Sequence, residues 1–147
     1  MEKFILVINP GSTSTKLALF RALENEVEVA VEENVSVPVD LLEQKPHYVD
    51  QIDFRLQQVL EFLDKHGVRS DQILCIASRG GPIKPLPAGT YQITKEIEQD
   101  IMQERILSPH SSLIGPVVAF RLSQEWGVPA YFTDPVSVDE FIPEAKI

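Results

Sequence analysis

A single cysteine, Cys75, stands in the chain of 147 residues. It cannot form a disulfide within the chain, which fits a reducing compartment. Its apolar surroundings, Ile73-Leu74-Cys75-Ile76-Ala77, predict a small buried strand residue. No apolar run approaches the ~20 residues that span a bilayer. The start, MEKFILVINP, has no small-residue cleavage site, so a cytoplasmic location without membrane contact is expected. Basic residues are also scarce: 13 against 22 acidic, a formal net charge of -9. The lysines and arginines are scattered, which excludes the basic face that nucleic acid demands. Three histidines and one cysteine give no cluster with metal-ligand spacing.

Glycine is sparse where two familiar phosphate motifs need it. The stretch Val7-Ile8-Asn9-Pro10-Gly11-Ser12-Thr13-Ser14-Thr15-Lys16-Leu17 has one glycine before its lysine and no Ser or Thr after it. The following residues read as a strand, so a P-loop is excluded, and the dinucleotide fingerprint with it. Four hydroxyls and a cation are nonetheless gathered there. Backbone N–H groups of a tight turn form an anion-binding concavity, to which Ser12, Thr13 and Ser14 add donors and Lys16 a mobile charge. The plain alternative is a polar hairpin whose hydroxyls cap their own backbone.

Apolar content is ample for one core, at 44% hydrophobic residues. Lys3 to Ile8 reads as a strand buried on both faces, Lys16 to Arg21 as its return, and Glu26 to Val37, with period two, as a half-exposed third strand. Asp50 is positioned to cap a helix from Gln51 to His66, with Ile52, Leu56, Val59, Leu60 and Leu63 as its apolar stripe and Gly67 as its stop. A strand over Asp71–Ala77 follows, then a breaker-rich segment from Ser78 to Gly89. Helices over Thr94–Arg105 and Leu113–Trp126 come next, the latter ended by Gly127, and then a strand over Val128–Thr133. The order predicts an α/β domain: a mixed five-stranded sheet, opening as an antiparallel meander and continued by strand–helix units, with helices packed on it. The run from Asp134 to Pro143 has no obvious stop, so the chain is expected to continue past Ile147.

Three further positions are candidates for chemistry. Arg79 follows a buried strand and precedes Gly80-Gly81, where backbone can approach a ligand; its planar fork suits a carboxylate or phosphate. Asp134 stands at the same end of the last strand and could orient Mg2+ or position a nucleophile; if the two strands are parallel, it converges with Arg79 on one cleft. The alternative is an Asx turn before Pro135. His110, between Pro109 and Ser111, opens a helix that faces the same region, and a purely structural role is its alternative.

Taken in order, Asn9 to Lys16, the long run Arg79-Gly80-Gly81-Pro82-Ile83-Lys84-Pro85-Leu86-Pro87-Ala88-Gly89-Thr90-Tyr91, and Asp134-Pro135-Val136-Ser137-Val138-Asp139-Glu140-Phe141 resemble butyrate kinases. These belong to the acetate kinase family, in the group that includes sugar kinases, actin and Hsp70. The resemblance implies an RNase H-like fold and an ATP-dependent carboxylate kinase that makes an acyl phosphate from a short-chain acid. It implies that Asn9, Gly11, Ser12, Thr13, Ser14 and Lys16 hold ATP or acyl phosphate. Arg79 would neutralise the carboxylate or the transferring phosphoryl group, Asp134 would organise Mg2+, and His110 would touch the acyl-phosphate region. The arginine falls at Arg79 itself, as in butyrate kinases, rather than earlier on the strand as in acetate kinases. Residues 1–147 correspond to the first of two domains, so the second is absent and the isolated chain is expected to be inactive; the complete enzyme is expected to be a homo-oligomer. A non-catalytic nucleotide-binding module of the same group, or a purely structural domain, remains the alternative.

Overall fold

The computed structural model describes residues 1–133. Its first three strands, β1 (Phe4–Pro10), β2 (Ser14–Ala22) and β3 (Val27–Ser36), form the expected meander. A short helix α1 (Val39–Gln44) and the long α2 (Tyr48–Lys65) lead to β4 (Ile73–Arg79), which lies parallel to β1. The three-residue strand β5 (Thr90–Gln92) and helices α3 (Lys95–Met102) and α4 (Ile114–Trp126) precede β6 (Ala130–Thr133). The sheet order is β3-β2-β1-β4-β6-β5.

The α/β class and the mixed sheet are as expected, but the described residues contribute six strands to it rather than five. β5 falls inside the region of breakers, where three residues carry no usable periodicity; antiparallel pairing to β6, with Tyr91 opposite Phe132, makes it a strand. Helix α1 is a second departure from the expected order: it has six residues and buries none of them. Helix α2 starts earlier than Asp50 suggests: His47 is the cap, its Nδ1 accepting the Val49 N–H at 3.2 Å. Cys75 is half-buried, because it faces away from the helices.

Alternation along β1 buries Phe4, Leu6, Ile8 and Pro10 beneath the helices and leaves Ile5, Val7 and Asn9 on the other face. The core joins Leu6, Ile8, Leu17, Leu19, Ile76 and Phe132 of the sheet to Ile52, Val59 and Phe62 of α2 and Val117, Val118 and Leu122 of α4. Gly127 closes α4 in the left-handed region at φ 69°, its N–H donating to Ser123 O at 2.9 Å. Strands β1, β4 and β6 are mutually parallel, so their carboxyl ends share one edge of the sheet with the β1–β2 turn. No described helix is long and apolar enough to cross a membrane.

Candidate functional site

Only Gly11, Ser12 and Thr13 lie between β1 and β2; Ser14, Thr15 and Lys16 already belong to β2. Strand alternation therefore divides the hydroxyls. Ser14 and Lys16 share one face, where Lys16 stands opposite Asn9, whereas Thr15 turns inward and is fully buried. Thr15 Oγ1 donates to Gln58 Oε1 at 2.6 Å and accepts from Arg55 Nη1 at 2.9 Å. Its hydroxyl braces the strand, while those of Ser12 and Thr13 are on exposed residues. The N–H groups of Ser12 and Thr13 donate to no acceptor among the described residues.

A hollow of about 490 Å³ is lined by Asn9, Pro10, Gly11, Ser14, Lys16, Arg79, His110 and Ser112. Residues far apart in sequence thus meet outside the carboxyl ends of parallel strands, where open α/β sheets bind ligands. Neither Lys16 nor Arg79 has an ion-pair partner among the described residues, although Arg21, Arg69, Arg105 and Arg121 all do. Two unspent cations beside free backbone donors suit an anion with several oxygens.

His110 is an exposed residue at the rim. Its Nδ1 accepts the Ser112 N–H at 3.0 Å, and Ser112 Oγ lies 2.7 Å from the same atom. In the neutral ring the proton is therefore on Nε2, which leaves that atom as the free donor. The rim is held in place by close packing: a Cβ on Gly81 would lie 2.7 Å from a Leu113 methyl and 2.9 Å from Ser112 Oγ. Among the described residues no group of three or more His, Cys, Asp or Glu could hold a metal. Strands β4 and β6 are parallel with Arg79 opposite Thr133, while Asp134, the expected Mg2+ ligand, lies outside the described residues.

Sequence reasoning missed Arg55. It is 1% exposed and donates to Gly11 O at 2.8 Å, Ser14 O at 3.0 Å, Thr15 Oγ1 and Gln51 Oε1. Burial pushes its pKa down to about 10. The signal was present as Gln51, Arg55 and Gln58, polar residues at helical spacing; on a wheel they look like a solvated face. The buried stripe of α2 runs through Tyr48, Gln51, Ile52, Arg55, Gln58, Val59, Phe62 and Leu63, leaving the expected Leu56 and Leu60 at its margin.

The chain is 40% identical over 143 residues to a probable butyrate kinase of Enterococcus faecalis, a match spanning 97% of this chain and 38% of that protein. It is 41% identical over 142 residues to probable butyrate kinase 1 of Thermotoga maritima, with the same coverage. The chain is a relative of the butyrate kinases. It spans less than two fifths of the length of these curated relatives. Porphyromonas gingivalis acetate kinase superposes with a TM-score of 0.51 over 97% of this chain and 39% of that one, at 16% identity, and so shares its fold. No protein-family model matches the chain.

Proposed function

We propose that the chain supplies the phosphate-binding side of an ATP-dependent kinase that interconverts a short-chain carboxylate, butyrate or one like it, and its acyl phosphate. One observation carries this reading: the β1–β2 turn, Lys16, Arg79 and His110 line one hollow, and neither cation has an ion-pair partner among the described residues. Phosphoryl transfer asks a protein for positioning and charge neutralisation more than for covalent chemistry. In this reading Asn9, Gly11, Ser12, Thr13, Ser14 and Lys16 hold the phosphates of ATP or acyl phosphate. The Arg79 fork takes the carboxylate or the transferring group, and His110 Nε2 donates to an acyl-phosphate oxygen. Mg2+ would supply charge neutralisation between phosphate oxygens, and Asp134 is assigned to it from the sequence alone. The kinase names of the relatives support the reaction class.

Holding ATP in line with a carboxylate takes contacts from both sides of a cleft, so the 147-residue chain should make no acyl phosphate alone. Hydroxylamine traps acyl phosphate as a hydroxamate. With ATP, Mg2+ and butyrate the chain alone should stay at the protein-free level. A chimera in which it replaces the matching segment of the E. faecalis relative should yield hydroxamate. A folded chimera that is inactive on every short-chain carboxylate the unaltered relative accepts would overturn this function.

A further inference from the structure

A buried guanidinium with no carboxylate partner is costly, because its charge loses hydration without gaining an opposite charge. The four acceptors around Arg55 are neutral: Gly11 O, Ser14 O, Thr15 Oγ1 and Gln51 Oε1. Gly11 O belongs to the β1–β2 turn, and Ser14 O, at the first residue of β2, also accepts the Gly11 N–H at 2.7 Å. A turn displays carbonyl oxygens as well as N–H groups, and an outward carbonyl repels an anion. Here both carbonyls are drawn inward onto a cation. Across a trans peptide the C=O and the following N–H point in opposite directions, so the Gly11 carbonyl directed at Arg55 turns the Ser12 N–H outward. That N–H has no acceptor among the described residues.

We propose that Arg55 is the positioning residue of the anion site: from beneath the turn it holds the Gly11 and Ser14 carbonyls, leaves the Ser12 N–H facing the ligand, and places behind it a positive charge with no carboxylate partner among the described residues. The inference rests on the turn being an anion site, as proposed above. It adds a residue from α2 to that site, and it explains how a chain of net charge -9 builds local positive potential there.

The test is titration of the 15N-labelled 147-residue chain with inorganic tripolyphosphate, with melting temperatures measured in parallel. The wild-type chain should shift at the Ser12 and Thr13 amides. Arg55→Gln should bind about tenfold more weakly, the scale of one charge-assisted interaction. Arg55→Lys keeps the charge and should stay within about threefold of wild type, although losing the fork lowers its melting temperature as much as the Gln change does. Equal affinities of all three proteins, or affinities that simply follow the melting temperatures, overturn the inference while leaving the anion site standing. No binding by the wild-type chain at millimolar tripolyphosphate overturns both. If Arg55→Gln does not fold, the Arg55 Nε–Hε resonance of the wild-type chain decides: a shift on adding tripolyphosphate supports the inference, and no shift overturns it.

Discussion

Gly115 of α4 stands so close to Ser78 of β4 that a Cβ on the glycine would lie 2.2 Å from the serine Oγ and 3.0 Å from Pro10 Cδ. This contact seats the start of α4 against the carboxyl ends of β1 and β4, beside the hollow. Gly115→Ala should therefore destabilise the fold by about 1–3 kcal/mol through overpacking, although alanine is the better helix former. Urea unfolding measures it. Adding Ser78→Ala should restore part of the loss, and a Gly115→Ala protein as stable as wild type would mean that the helix shifts freely.

The hydroxyls around the turn should separate into two classes. Thr15→Val removes buried bonds to Gln58 and Arg55 and should cost about 1–3 kcal/mol of stability. Ser12→Ala alters an exposed side chain and should change stability by less than about 0.5 kcal/mol. Equal losses by thermal and urea unfolding would contradict the inward–outward division that β2 imposes.

Lys16 should matter to reaction rather than to folding. It is exposed and has no ion pair among the described residues, so Lys16→Met should leave the melting temperature in place. In the active chimera the same change should lower kcat/KM for ATP tenfold or more, about 1.4 kcal/mol. An unchanged value removes Lys16 from the site.

Arg79→Lys keeps the charge but loses the bidentate fork, and should impair acyl phosphate formation by the chimera substantially. Steady-state kinetics with butyrate would show this, and near-wild-type rates would reduce Arg79 to a loop residue.

Glu33 of β3, the ladder partner of Leu17, accepts from Lys65 Nζ at 2.7 Å and lies 2.8 Å from His66 Nε2. These two contacts, Lys65 first, hold its carboxyl below the usual range. A depressed carboxylate stabilises the fold above its unfolded pKa, and the contribution fades as pH falls through the lower folded value. The melting temperatures of wild type and Glu33→Gln should differ at pH 6, and the gap should shrink steadily as the pH falls below the usual carboxylate range. A gap that persists at the acid end would show that the carboxylate charge is not its source.

The sequence by itself determined the elements whose patterns are local. A continuous apolar run marked β1, period two marked β3, helical spacing marked α2, Thr94 and Gly127 marked where α3 begins and α4 ends, and hydroxyls around Gly11 marked the turn. It also placed Arg79 after a buried strand. Only the tertiary structure decided which of these features serve the hollow. Thr15 lies in the same hydroxyl run as Ser14, but strand alternation and the packing of α2 send its oxygen to Gln58. Thr90–Gln92 is a strand only because β6 offers an unpaired edge beside it. Arg55 shows the reason most clearly. A helical wheel fixes which residues share a face, but whether a polar residue on that face meets water or the carbonyls of a turn 44 positions earlier depends on what packs over it. That is a long-range property, written in no single stretch of the chain.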